Sequence, residues 1–485
     1  MIKNNYYTGR STSLIEGIDW ITVLIYVALV LLGWVSIYAA VYNEEHSSMF
    51  DMSQKYGSQI MWIGICSVIG LFLLLLDSKY FYNFSYLFYV IMILVSIGVL
   101  FGGTTVNGAK SWISVGSFRV QPAEFLKVAT ALTLARYMSN HGFSIDKSKG
   151  VISVFALIAI PALVIIVQND TGSALVFGSF LILFYREGLN GWLYIIIFLM
   201  IVIFILSFII NPLYLIFLLF LFMVLADVVM NGNIILKIKY VAAVLLSFLF
   251  FKGVDLVLSL NIRSEYLLLF VISLSLVFVV YYMYKMQLQN MILSIFIFIG
   301  SSLFLFSVDY IFNSVMKIHQ QKRILDLLGL ESDVKGWGYN VNQSKIAIGS
   351  GGFSGKGFLQ GTQTKYDFVP EQSTDFIFCT ISEEWGFLGS SLVVILFVAL
   401  IVRLMQLGDR QNDAFGRVYC YGAASIFTFH VLVNIGMTIG VMPVIGIPLP
   451  FFSYGGSSLL AFTVLLFIAV KLDSDRSGTM NNFYR

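Results

Sequence analysis

The sequence predicts an all-α, polytopic membrane protein: about fourteen transmembrane helices and one large extracytoplasmic loop. Three observations predict it. Of 485 residues, 59% are hydrophobic and only 11% charged, whereas an average soluble protein carries roughly twice that charge. About fourteen apolar stretches interrupt the chain, several near the ~20 residues a helix needs to cross a bilayer. Lysine and arginine also fall unevenly between the connecting segments, as the positive-inside rule expects. Long continuous apolar runs argue against a β-barrel, whose strands alternate. The formal charge of +3 and the lack of a basic block give no reason to expect nucleic acid.

Taken in order, the spans are predicted at 19–42, 57–76, 83–102, 121–138, 151–168, 171–186, 192–211, 213–230, 238–259, 265–285, 289–312, 375–402, 418–442 and 453–471. The first is too long for a signal-peptide core and lacks a small-residue cleavage site, so it is expected to be retained. With the N-terminus in the cytoplasm, Lys3, Arg10, Lys79, Arg136, Lys147, Lys149, Arg186, Lys237, Lys239, Lys285, Arg403, Arg410, Arg417, Lys471, Arg476 and Arg485 fall inside. The short outside loops hold only Lys55, Lys110, Arg119 and Arg263. Both termini are therefore expected in the cytoplasm, and the long 313–374 segment faces outward. Residues 192–312 have hardly any polar loop and no chemical constellation. Lipid-facing scaffold is their plainer reading, with a partner-docking surface as the other.

The outward segment is polar and glycine-rich and ends in VPEQSTDFIF (369–378). That ending sets Glu371 and Asp375 where a loop meets an apolar helix, and ionisable residues at such a place are functional candidates. The plainer alternative is that Thr374 or Asp375 caps the helix. The glycines of the loop read from Gly336 allow tight turns and close approach to a ligand. GGFSGKG fails as a phosphate loop: Ser350 stands where the first glycine of the pattern belongs, Gly357 replaces the Ser or Thr, and no strand precedes it. Glu383 and Glu384 lie within the next apolar run, where an ion pair with a basic residue on a neighbouring helix is the bland reading.

A second constellation is NGAKSWISVGSFRVQPAEFLKVA (107–129). It places Lys110 and Arg119 in an outer loop and Gln121, Glu124 and Lys127 in the fourth span. Either Glu124 and Lys127 pair along the helix, or the cations clamp a phosphate-bearing substrate. Asp170, in QNDTGSA (168–174), reads first as a helix cap. GVMPVIGIPLPFFSYGGSSLLAF (440–462) predicts broken helix, tolerated at membrane depth only where it is buried in protein or lines a cavity. Cys66, Cys379 and Cys420 have no paired spacing and read as small core residues. His430, alone among the histidines within a span, reads as a packing residue.

These segments together resemble the SEDS family (shape, elongation, division and sporulation), and its RodA branch in particular. The matching stretches are NGAKSWISVGSFRVQPAEFLKVA, QSKIAIGSGGFSGKGFLQGTQT, VPEQSTDFIF with SEEWGFLG, and GIPLPFFSYGGSS, in family order over most of 100–175 and 315–471. The resemblance implies a peptidoglycan glycosyltransferase of the bacterial cytoplasmic membrane, polymerising lipid II with a class B penicillin-binding protein in cell elongation and shape maintenance. It implies that Asp375 is the essential acid, with Glu371 the acidic residue of the same motif. Lys110, Arg119, Gln121, Glu124, Lys127 and Lys345 fall on the family's polar segments and become the candidate substrate-binding set; Asp170, Glu383 and Glu384 are supporting.

Three departures stand out: Ser373 occupies a position where the family commonly has His, Asn169 replaces a usual Pro, and members usually have about ten spans. Four extra spans fit within 192–285, which is therefore expected to be an insertion into a single membrane domain. Asp375 would activate or orient the acceptor hydroxyl, and Lys110, Arg119, Lys127 and Lys345 would hold the leaving diphosphate. A divalent cation could share that task, although no metal cage is visible in the sequence. A transporter of lipid-linked precursor and a non-enzymatic scaffold for a penicillin-binding protein are the readings from other classes.

Overall fold

The computed structural model describes residues 17–42, 50–106, 108–116, 118–231, 234–286, 290–316, 318–328, 330, 338–366 and 368–476. The expected interior charges Lys3, Arg10 and Arg485, and the loop start at Gly336, lie outside them. The chain is helical almost throughout, as lipid demands of a backbone that must satisfy its own hydrogen bonds. Ten described helices are long and apolar enough to span a membrane, and three shorter apolar ones follow at Thr171–Arg186, Pro212–Leu225 and Ser264–Val277. With Pro122–Met138 they correspond one for one to the fourteen expected spans.

In order, the elements begin with α1 (Trp20–Ala40), α2 (Lys55–Leu75) and α3 (Ser78–Gly102). Strands β1 (Thr104–Val106), β2 (Ala109–Val115) and β3 (Phe118–Val120) follow, then α4 (Pro122–Met138) and α5 (Ser148–Val167). The sixth span is divided into α6 (Thr171–Val176), a 3₁₀ turn and α7 (Phe180–Arg186). Next come α8 (Gly191–Ile209), α9 (Pro212–Asn231), α10 (Ile234–Leu258), α11 (Ser264–Met286) and α12 (Asn290–Tyr310). The long loop holds α13 (Ile318–Leu327), α14 (Tyr339–Ser350) and α15 (Thr362–Lys365). The chain closes with α16 (Ile377–Asp409), α17 (Ala414–Thr438) and α18 (Gly456–Ser474).

Two loop segments carry structure that the sequence did not reveal. The loop before α4 is an antiparallel sheet in the order β1-β2-β3, with Thr105 opposite Lys110 and Ser114 opposite Arg119. The all-α class stands, because these three short strands are the only sheet among the described residues. Short polar strands between long apolar runs leave too few alternating residues to register. The 313–374 segment also contains the helices α13, α14 and α15.

The chain divides into two compact units, 1–190 with 323–485, and 191–322. The second unit contains α8 to α12, so it extends past the 192–285 block. Its core is built from Ile203, Ile216, Phe220, Ile272 and Phe298. Among the described residues three ion pairs are internal to it, Lys237–Asp227, Lys252–Asp255 and Arg263–Glu265.

The first unit is centred on α17 and α18, each buried over 78% of its most apolar stretch, against 22% for α2, α3 and α5. Phe427, Phe451 and Phe462 pack together there, their ring centroids 5.4 to 6.1 Å apart. All three cysteines are free and buried, as expected of core residues. At one end, Arg403 grips Asp19 through Nε (3.0 Å) and Nη2 (2.5 Å), while Arg410 grips Asp473 in the same two-pronged way (2.6 and 2.5 Å). Burial pushes the Asp19 carboxyl up, but hydrogen bonds from Arg403 and Thr22 outweigh it and hold the group well below the usual carboxylate range. These pairs fasten α1, α16 and α18 together at the end opposite the candidate site.

Candidate active site

The VPEQSTDFIF motif forms a turn rather than a helix start. Phe376 is the N-cap of α16, so neither Thr374 nor Asp375 occupies the N-cap position. Glu371 adopts a left-handed φ of 53°, and its carbonyl accepts from the N–H groups of Thr374 (3.1 Å) and Phe376 (3.2 Å). Its exposed carboxylate accepts from Thr374 Oγ1 at 2.9 Å. Asp375 is half-buried.

Four elements hold this turn. Gln372 Nε2 donates to Ala40 O at the end of α1 (2.9 Å), and Lys55 Nζ, at the start of α2, donates to Ser373 Oγ (2.9 Å). Tyr454 N donates to Ser373 O (2.9 Å) and Ser453 Oγ to Thr374 O (2.6 Å). From α17, Asn434 Nδ2 donates both to Asp375 O (2.9 Å) and to Ile447 O (2.8 Å). The acid's backbone is therefore fixed from several sides.

Residues 440–455 are non-helical, as the prolines predict. Gly446, at φ 75°, lies so near Asp375 that a Cβ there would sit 3.3 Å from its Oδ2. Ile447 O is served by Asn434, and Pro448 O by His430 Nδ1 at 3.0 Å. His430 Nε2 faces Lys127 Nζ at 2.9 Å, and Lys127 pairs with Glu124 at 2.7 Å. Lys127 and Glu124 are each 2% exposed and His430 0%. The in-helix ion pair is thus formed. Lys127 is taken up by it, which removes the reason to expect it on a leaving diphosphate.

Gln121 is the N-cap residue of α4, and its Nε2 donates to Asp170 Oδ2 (2.6 Å). Asp170 caps α6 by accepting from Ser173 N (3.1 Å), so its plain reading describes it well. That cluster abuts the broken segment, because Gly172 packs on Ile445 and Ile447. Lys110 lies half-buried on β2 and donates to Phe101 O at 3.2 Å; Arg119 is exposed on β3. Lys345, exposed on α14, lies over Gly440 just past the end of α17, where a cation complements the helix dipole.

Glu383 and Glu384 do something else. Helix α16 is broken at Gly386, with φ 61° and ψ −156°. The glycine loop fills the break in both directions. Phe387 N and Leu388 N donate to Gly352 O (2.9 Å) and Phe353 O (3.2 Å). Lys356 N and Gly357 N donate to the carbonyls of Glu383 and Glu384 (both 3.0 Å). The Glu383 carboxylate is fully buried and accepts from Lys356 Nζ (2.6 Å), Gln363 N (2.9 Å), Thr364 N (3.0 Å) and Thr364 Oγ1 (3.0 Å). Glu384 accepts from Leu359 N at 3.1 Å. The bland reading is corrected in one respect: the basic partner lies in the loop, not on a neighbouring helix. The glycines likewise let the loop approach its own helix closely. At Gly355, φ is 81° and an added Cβ would meet Glu384 O.

Lys55, Asn434 and Ser453 were missed in the sequence. Asn434 and His430, four apart in an apolar run, share a helix face, and that spacing was a usable signal. Lys55 carried none, since its partner lies 318 positions away. Among the described residues no three His, Cys, Asp or Glu side chains gather to hold a metal ion.

The profile of the FtsW/RodA/SpoVE family, described as cell cycle protein, matches residues 19–223 and 210–478. Peptidoglycan glycosyltransferase RodA of Treponema pallidum (strain Nichols) is 32% identical over 458 residues, 92% of this chain and 95% of that protein. Peptidoglycan glycosyltransferase MrdB of Escherichia coli (strain K12) is 44% identical over 162 residues, 33% of this chain and 44% of that protein. A solved chain of a peptidoglycan synthase complex that coordinates polymerization and crosslinking covers 95% of this chain and 98% of its own. Its TM-score is 0.58 at 24% identity, a likeness of fold.

Proposed function

The chain belongs to the FtsW/RodA/SpoVE family of cell cycle proteins, and from that premise we propose that it is a peptidoglycan glycosyltransferase of the RodA kind. It is a multi-pass membrane protein that polymerises lipid II into glycan strands for elongation and shape, beside a class B penicillin-binding protein that crosslinks them. We place it in the bacterial cytoplasmic membrane with both termini inside and the 313–374 segment outside. The observation that carries the reading is the seating of Asp375. A half-buried carboxylate stands on a turn whose backbone is held by α17 and the broken 440–455 segment.

In the reaction, the acceptor's 4-hydroxyl oxygen bonds to the donor's anomeric carbon, and the bond from that carbon to the lipid diphosphate breaks. The hydroxyl proton passes to Asp375, a step that a positioned base accelerates about 10²–10⁴-fold. Negative charge grows on the departing diphosphate, where cations are most effective. Arg119 and Lys345 are exposed at this end and suit that task better than the buried Lys127. Lys110, half-buried on β2, is intermediate in exposure. Glu371 shapes the turn through its carbonyl and Thr374. Gln121 and Asp170 brace the far side of the broken segment.

The test is direct. Full-length protein with its partner transpeptidase, given lipid II, should yield glycan ladders on a gel, and Asp375→Asn of equal thermal stability should yield none. Ladders of normal length from Asp375→Asn would remove the base assignment.

A further inference from the structure

We propose that His430 is a positioning residue for this reaction, coupling the buried Glu124–Lys127 pair to the broken segment that walls Asp375. The inference rests on the glycosyltransferase reading above. It begins from a difficulty of the fold: the backbone at 447–448 is non-helical, with Ile447 buried and Pro448 half-buried, so its carbonyls need donors from elsewhere. Helix α17 supplies them one turn apart. Asn434 serves Ile447 O and, with the same amide, Asp375 O. His430 serves the next carbonyl, Pro448 O, at 3.0 Å.

The ring's roles follow from its partners. A carbonyl can only accept, so Nδ1 carries the proton; an ammonium can only donate, so Nε2 of His430 receives Lys127 at 2.9 Å. Lys127 in turn needs an anion, and Glu124 stands 2.7 Å away. The side chains of Glu124, Lys127 and His430 are buried and Pro448 is half-buried, so water has little access to the three side chains. Each member fixes the orientation of the next, as outer partners orient metal-bound imidazoles. Gly446, two residues before Pro448, lies against the Asp375 carboxylate. Two adjacent carbonyls, one gripped by Asn434 and one by His430, thus set the angle at which this wall meets the acid.

A ring that merely filled space would leave turnover unchanged when replaced by phenylalanine. A positioning ring would not. The experiment measures initial rates over a range of lipid II concentrations, using full-length protein with its partner transpeptidase, expressed per folded, monodisperse molecule. His430→Phe is expected to lower kcat about 10- to 100-fold with KM changed less than about threefold, the signature of misplaced reacting groups. His430→Asn keeps a donor near Nδ1 and should recover much of the loss; His430→Gln, whose amide reaches toward Lys127 instead, should not. Unchanged kcat in His430→Phe, a loss confined to KM, or equal recovery by Asn and Gln would each overturn the proposal. Wild-type protein that makes no glycan would instead remove the glycosyltransferase reading, so the two failures are distinct.

Discussion

Asp375 is placed by what is done to its backbone. Its carbonyl, and those of Ser373 and Thr374, are gripped by Asn434, Tyr454 and Ser453. The junction of polar loop and apolar helix made Asp375 and Glu371 visible in sequence, because a carboxylate at that depth needs a reason to be there. The same argument led to an ion pair for Glu383, and the structure supplies it from the loop: the carboxylate gathers the donors of Lys356, Gln363 and Thr364. Every donor around it points inward, so Glu383→Gln turns an N–H₂ toward an N–H whichever way the amide lies. We expect a loss of about 1–3 kcal/mol, the penalty for an unsatisfied buried donor. It should appear as a lower thermal midpoint and faster tryptic cleavage after Lys356 or Lys365. An unchanged midpoint would mean that the loop does not depend on this carboxylate.

Among the elements, α16 shows most plainly what a sequence conceals. The run from 375 to 402 reads as one apolar helix, and its length and hydropathy are those of a membrane span. The break at Gly386 is invisible there, because the groups that complete it come from residues 352–357. Two motifs that read as separate signals, GSGGFSGKG and SEEWGFLG, are halves of one joint. Gly355→Ala tests it. The left-handed φ alone costs a non-glycine residue about 1–2 kcal/mol, and the added methyl also meets the Glu384 carbonyl oxygen. We expect the variant to be poorly folded by size-exclusion chromatography in detergent. Gly64→Ala in α2 has no heavy atom within 4 Å of the new carbon and should behave as wild type. The β1-β2-β3 sheet escaped notice for another reason, as its strands of three, seven and three residues are too short for a clear two-residue period.

For the whole molecule, the helices were legible because lipid permits so few alternatives to a continuous hydrogen-bonded run. The 192–312 block was marked by its missing polar loops, and the compact unit runs over 191–322. The narrower 192–285 insertion, drawn from the family's usual ten spans, leaves out α12, whose Phe298 and Leu305 share the unit's core. Orientation, read from lysine and arginine, can be checked by labelling. Tyr366, 65% exposed, and Arg476, at the far end of the chain, sit on opposite sides in our topology, and the native cysteines are buried. A membrane-impermeant maleimide added to intact spheroplasts should modify Tyr366→Cys, and Arg476→Cys only after permeabilisation. The reverse pattern would invert the protein and place its acid on the wrong side.

The interlocked loop and helix also bear on how such proteins can be recombined. Mortise and tenon are cut to one another here across some thirty intervening positions. A chimera that imports only one half from a relative should assemble badly even when both parents work, whereas one that exchanges 350–390 intact carries its own fit with it.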